Sequence, residues 1–318
     1  MTDYKDKEMR AVYAETLIEL IKGDSNVFCV EADLSKASGT CPKVMDACPD
    51  NYVNVGVAEA NMICVGAGLA SEGKVPFCAT FSCFATRRVY DQITISVAYG
   101  NNNVKIVGTA PGHTQGPNGG THMCFLDLGI MRTMPNMHVY SPCDPYELRA
   151  VMKFMATSSK PTYMQLIRPK MPVLFDDSCT FDPQKARVMR EGTDVTIVST
   201  GYMTHAALKA ANALNEQGVS AQLLHYPSVK PFDAETLVSS ARKTGAVVTV
   251  ETQNIINGLG SAVCETLSET YPCPVKRLGV PDQFGEVASE QYLYDKHGFG
   301  PEHIIKACLN LCENAAKV

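Results

Sequence analysis

Two α/β domains in succession, each a parallel sheet covered by helices, are what this sequence predicts. Three observations carry the prediction. The chain has 318 residues, and single hydrophobic cores stop growing at roughly 250–300 residues. Short apolar runs with strand character alternate with helix-period stretches, the rhythm of a parallel sheet covered on both faces. That rhythm fails between Met171 and Gly192, where "MPVLFDDSCTFDPQKARVMREG" carries two prolines, clustered acids and no period, and then it restarts.

In the first domain a helical pattern from about Lys5 to Lys22 leads into "NVFCVEADL", an apolar run that reads as a strand. Further strands are expected near Tyr52–Val55, Val75–Thr80, Val104–Gly108, His138–Tyr140 and Thr162–Ile167, with helical stretches between most of them. After the break, "DVTIVSTG" reads as a strand, Met203–Gln217 as a helix, "SAQLLHY" as a strand, Asp233–Lys243 as a helix, "GAVVTVE" as a strand and Gly258–Ser268 as a helix. Open α/β sheets place their sites at the carboxyl ends of strands. The loops after Val55, Thr80, Gly108 and Ile167 are therefore where function is sought.

Composition narrows the function classes. With 45% hydrophobic and 19% charged residues the chain reads as an ordinary soluble protein, and no apolar run approaches the ~20 residues of a membrane span. A net charge of -5 without a Lys/Arg-rich block offers nothing for a nucleic-acid backbone. The charged start "MTDYKDKEMR" does not direct export. The thirteen cysteines are odd in number, form no C-x2-C pair and mostly lie in apolar runs, as Cys29, Cys64 and Cys78 do. They read as free thiols of a reducing cytoplasm. No P-loop and no nucleophile elbow occurs, and "GAGLAS" falls in mid-helix without the third glycine of a dinucleotide fingerprint.

Four stretches remain. "NVGVAEANM" places Glu59 in the first turn of a helix after a strand, among Val55, Val57, Ala58, Ala60 and Met62. A carboxylate there complements the helix dipole; equally, one desolvated by such neighbours can share a proton with a ligand nitrogen. "TFSCFATRRVYDQI" puts Phe81 and Phe84 at a strand-to-helix turn, either as core or as a clamp for a flat heteroaromatic ring. "GTAPGHTQGPNGGTH" has five glycines, two prolines and two histidines in fifteen residues. It is a costly loop to order, in which His113 and His122 are candidates for contacting substrate hydroxyls. Arg168 closes a buried-looking strand, where a guanidinium suits a phosphate or carboxylate.

Together with "EADLS", "NGGTHMCFLDLGIMRTMPNMHVYSPCDPYEL", "LIRPKMPV", "HYPSVKPFD", "VETQNIINGLGSAV" and "GVPDQFGE", these stretches resemble the transketolase family of thiamine-diphosphate enzymes. The likeness is to the C-terminal half, found as a separate subunit in split bacterial and archaeal transketolases, and it covers essentially the whole chain. It implies a pyrimidine-binding domain over 1–176, a linker over 177–191 and a smaller transketolase C-terminal-like α/β domain over 192–318. It further implies that Glu59 hydrogen-bonds the cofactor's aminopyrimidine, that Phe81 and Phe84 stack on that ring, and that Asp33 and Leu34 line the cofactor across a subunit interface. Arg87 falls where many relatives have Tyr. His122 matches a substrate-contacting histidine, and Arg10 and Arg168 match two phosphate-gripping arginines. Three substrate positions differ: Ala37 stands for Ser, Ala110 for His and Asn118 for Asp, and His113 or Ser38 is available to compensate. The family's G-D-G motif, which holds Mg2+ and the diphosphate, is absent.

The resemblance thus implies a partner, the diphosphate-binding N-terminal transketolase subunit that carries the Mg2+, in an α2β2 assembly sharing thiamine diphosphate. The activity it implies is two-carbon ketol transfer from a ketose, phosphorylated, sulfonated or branched, to an aldose. The alternatives are a 2-oxo acid dehydrogenase E1 β subunit, a 1-deoxyxylulose-phosphate synthase-like subunit, or a non-catalytic assembly subunit.

Overall fold

Apolar runs rich in β-branched and aromatic residues become strands here because helices cover both faces of the sheets they join. The computed structural model describes residues 4–178 and 182–315. Its strands are β1 (Val27–Glu31), β2 (Tyr52–Asn54), β3 (Val75–Phe81), β4 (Lys105–Thr109), β5 (His138–Tyr140), β6 (Thr162–Leu166), β7 (Arg187–Arg190), β8 (Val195–Thr200), β9 (Ala221–Tyr226), β10 (Ser228–Lys230), β11 (Val247–Asn254) and β12 (Val275–Val280). Two sheets result, ordered β10-β5-β6-β4-β3-β1-β2 and β12-β11-β8-β9-β7. The first helix spans Met9–Gly23 rather than starting near Lys5, and "GAGLAS" lies inside the helix Glu59–Ser71.

Two strands depart from the expected all-parallel, cleanly divided pattern. Part of the anticipated linker is β7, which pairs antiparallel with β9 and extends the second sheet; residues 179–181 lie outside the described residues. Immediately after β9, β10 leaves the second domain and pairs antiparallel with β5 at the edge of the first sheet. Neither strand carries the apolar alternation that marks the others, because each adds only an edge. Among the described residues no helix is long and apolar enough to cross a membrane, and the twelve cysteines found there are all free.

Between the sheets lies a polar joint. Glu147 and His225, both fully buried, meet at 2.8 Å, Thr204 Oγ1 lies 2.7 Å from His225 Nδ1, and the Cys143 N–H donates to Glu147 at 2.7 Å. Asp127 accepts from Tyr163 and Gln165 of β6 at 2.6 and 2.8 Å and from Gln253 of β11 at 2.6 Å. These contacts hold the first sheet's carboxyl edge against the second domain. Removing one member of a buried pair strands the other. His225→Ala should therefore lower the unfolding free energy by about 3–5 kcal/mol in a urea titration, with activity following only where the protein is unfolded.

Glu31 closes β1 fully buried, and burial pushes its carboxyl up to about 7 although Ser38 and Thr40 hydrogen-bond it. A carboxyl raised in this way stabilises the fold below its unfolded pKa, and that contribution is lost as pH rises through the folded one. The window here is 4.5 to about 7. His113, pushed down to about 3 by burial and by His297, has the opposite sign and loses its contribution as pH falls. Thermal melts of Glu31→Gln against the parent should show the difference in stability shrinking as pH drops from about 7 to about 4.5.

Candidate active site

Because β4, β3, β1 and β2 are parallel neighbours, the turns after Thr109, Phe81, Glu31 and Asn54 open on one edge. Glu59 begins its helix there and is only 4% exposed. Its carboxylate has a partner that its apolar surroundings did not suggest: Arg88 Nη1 donates to Oε1 at 2.9 Å. The same guanidinium lies over Phe84, with Cζ 3.7 Å from the ring centroid. Phe84 and Phe81 stand 5.9 Å apart, and the His122 ring meets them edge-on at 5.4 and 6.1 Å. Arg168 follows, its Cζ 5.4 Å from the Phe81 centroid. Burial and then the adjacent Arg10 charge lower the Arg168 pKa. Arg10 itself pairs with Glu8 at 2.7 Å. Acid, two rings, imidazole and three guanidiniums form one continuous face.

The floor of this face is apolar. Leu34, Ala37, Cys83, Ala110 and Cys124 pack with Phe81 and Phe84, so two of the three altered substrate positions present methyl groups in that cluster. Ala110 and Asp33 are held at φ 54 and 59, in the left-handed region. Such conformations cost ~1–3 kcal/mol each and gather at functional sites. Asn54 Oδ1 secures Asp33 by accepting its N–H at 3.1 Å.

Three expected residues stand elsewhere. His113 is buried in the domain joint, where Nε2 meets His297 Nδ1 at 2.9 Å and its ring packs on Phe125, Tyr294 and Phe299. Asn118 is exposed at the end of the 3-10 turn His113–Asn118. Arg87 is exposed and donates to the Thr121 carbonyl at 2.6 Å, tying down the loop that carries His122. A cavity of about 180 Å³ lies beside it, lined by Arg87, Gly120, Met123, Phe125, Phe284 and others; neither Glu59 nor Phe84 lines it. The glycine wealth of this loop has a steric origin. A Cβ on Gly116 would collide with the Ala288 carbonyl, and one on Gly120 with that of Gly285, so the loop backbone lies directly on the second domain.

Arg88 and Glu31 are the residues that sequence reading passed over. For Arg88 the signal was its spacing, four after Phe84 in "FATRR", the separation that stacks side chains on a helical turn. For Glu31 it was an acid closing the apolar run "VFCVE". Cys143, Glu147 and His225 lie close enough to suggest metal ligands, yet they already engage one another and Thr204 in the joint.

Comparison with known proteins identifies both domains. The transketolase pyrimidine-binding domain family matches residues 5–173, and the transketolase C-terminal domain family matches residues 184–304. The 6-deoxy-6-sulfo-D-fructose transketolase subunit SqwH of Clostridium sp. is 45% identical over 305 residues, covering 96% of this chain and 94% of that one. One of the subunits of the apulose-4-phosphate transketolase of Phocaeicola vulgatus is 34% identical, over 94% of this chain and 96% of its own. Among solved structures, a split gene transketolase described as an inactive beta4 tetramer superposes with a TM-score of 0.87 at 39% identity, covering 96% of this chain and 98% of that one. The chain belongs to the transketolase family of thiamine-diphosphate enzymes, carries that family's pyrimidine-binding and C-terminal domains, and matches the separate subunits of split transketolases along nearly its whole length.

Proposed function

We propose that this chain is the pyrimidine-side subunit of a two-chain transketolase that moves a two-carbon ketol unit from an anionic ketose to an aldose. The observation that carries the reading is the spacing of Glu59 and Phe84, which a single flat guanidinium bridges. An aromatic ring with an N–C–N edge fits that same gap. Thiamine diphosphate supplies, when bound, the electron sink that lets the bond between C2 and C3 of a ketose break. Glu59, buried at the head of its helix, would hydrogen-bond the ring nitrogen. Phe81 and Phe84 fix the ring plane, and Leu34 with the apolar floor keeps water from it, while Asp33 borders that floor. Thr121 Oγ1, 2.9 Å away, engages His122 Nδ1, and in this reading Nε2 faces the substrate hydroxyls.

The diphosphate and its Mg2+ belong, in this reading, to a separate diphosphate-binding subunit, since the G-D-G motif is missing. Two copies of each chain form an α2β2 assembly in the cytoplasm. The related beta4 tetramer being inactive agrees with the need for a second chain.

Arg10 and Arg168 take the anionic end of the sugar. Ala37 and Ala110 offer that end no hydrogen bond, and Glu8 offsets part of the Arg10 charge at 2.7 Å. Both features favour a singly charged sulfonate over a doubly charged phosphate, in keeping with the likeness to a sulfofructose transketolase subunit. A general acid–base group contributes typically ~10²–10⁴-fold. Glu59→Gln should thus reduce kcat of the reconstituted two-chain enzyme by about that factor while leaving its melting behaviour intact; undiminished turnover would leave only an assembly role. In a donor panel with a common aldose acceptor, kcat/KM should be at least about tenfold higher for 6-deoxy-6-sulfo-D-fructose than for fructose 6-phosphate, and pyruvate should not serve, a tenfold ratio being about 1.4 kcal/mol of differential binding.

A further inference from the structure

Arg88 has no role in the mechanism above, yet it makes the two contacts on which that mechanism depends. Its side chain, 47% exposed, donates one N–H into the buried Glu59 carboxylate and lays its planar face on Phe84. Guanidinium and aminopyrimidine share a flat, delocalised N–C–N edge. Either can hydrogen-bond Glu59, the guanidinium by donating to the carboxylate and the ring nitrogen through a proton shared with the carboxyl, and either can stack on Phe84; both cannot do so together, because each needs the same carboxyl and the same ring face.

We propose that Arg88 is an internal placeholder, which fills the aminopyrimidine position while the cofactor is away and withdraws to solvent when the ring enters. This rests on the reading of Glu59 and Phe84 as ring-holding residues. A carboxylate as buried as Glu59 cannot be left without a donor, so the free chain needs a substitute for the ring nitrogen. Arg88 is placed to provide one reversibly. It lies on the short 3-10 segment Arg87–Val89 with half its side chain already in water, and its charge is rehydrated on leaving. A closed state of this kind lowers apparent cofactor affinity by the fraction of molecules that stay closed.

Removing the side chain should therefore tighten cofactor binding, whereas a residue that merely orients Glu59 would weaken binding when lost. The two-chain complex, with Mg2+, is titrated with thiamine diphosphate in a calorimeter for the parent, Arg88→Ala and Arg88→Lys. The expected result is a Kd about tenfold lower for Arg88→Ala, with Arg88→Lys, which keeps the charge but not the flat face, between the two. A second measurement needs no partner: saturation-transfer NMR with 4-amino-2-methylpyrimidine should detect binding to the Arg88→Ala chain alone and not to the parent chain. If the alanine variant fails to fold, the lysine variant decides by the direction of its shift. An unchanged or higher Kd in either folded variant overturns the placeholder while leaving the site reading intact. A parent complex that binds no thiamine diphosphate overturns both.

Discussion

A carboxylate sealed from water must be given a hydrogen-bond donor or a proton, and the site of this protein is organised around that requirement. Glu59 sits at the start of a helix, at the carboxyl end of a parallel sheet, where the backbone N–H groups favour negative charge but none of them hydrogen-bonds its side chain. Arg88 meets the need from one side, and the stacked rings and His122 extend the face toward Arg168 and Arg10. A carboxyl completed from outside by a flat cation can also be completed by a flat ring, provided a proton lies between the carboxyl and the ring nitrogen.

Three other buried acids meet the same requirement in different ways. Glu147 has His225 across the domain joint, and Asp127 has donors from three side chains. Glu251 accepts two backbone N–H groups at the start of the helix Leu259–Thr270, each at 2.7 Å, although burial still pushes it up to about 7. Each of these is sealed by donors that cannot leave without unfolding something. Glu59 is sealed by one long, half-exposed side chain. That partner stands half in water, whereas the donors to Glu147, Asp127 and Glu251 are buried.

The second domain acts on this face through its contacts rather than through chemistry of its own. It supplies β10 to the first sheet, one donor to Asp127, and the surface on which the glycine loop lies flat. The position of His122 thus depends on residues more than 160 places away in the chain, Gly285 and Ala288. This is also why His113 is claimed by the joint: its ring is the one in that loop that falls over Phe125, Tyr294 and Phe299.

Much was legible in the residues alone. Alternating strand and helix periods marked the two α/β units and the carboxyl edge on which Glu59, Phe81, Phe84, His122 and Arg168 meet, because such periods are set locally by which face each element must bury. The isolated acid in an apolar run announced itself for the same local reason. What the sequence could not express were pairings between segments that carry no period of their own: β7 and β10, whose edge positions need no apolar face, the capture of His113 by the joint, and Arg88 reaching Glu59 across 29 positions. Those depend on where distant backbone segments come to rest, and only the tertiary structure decides that.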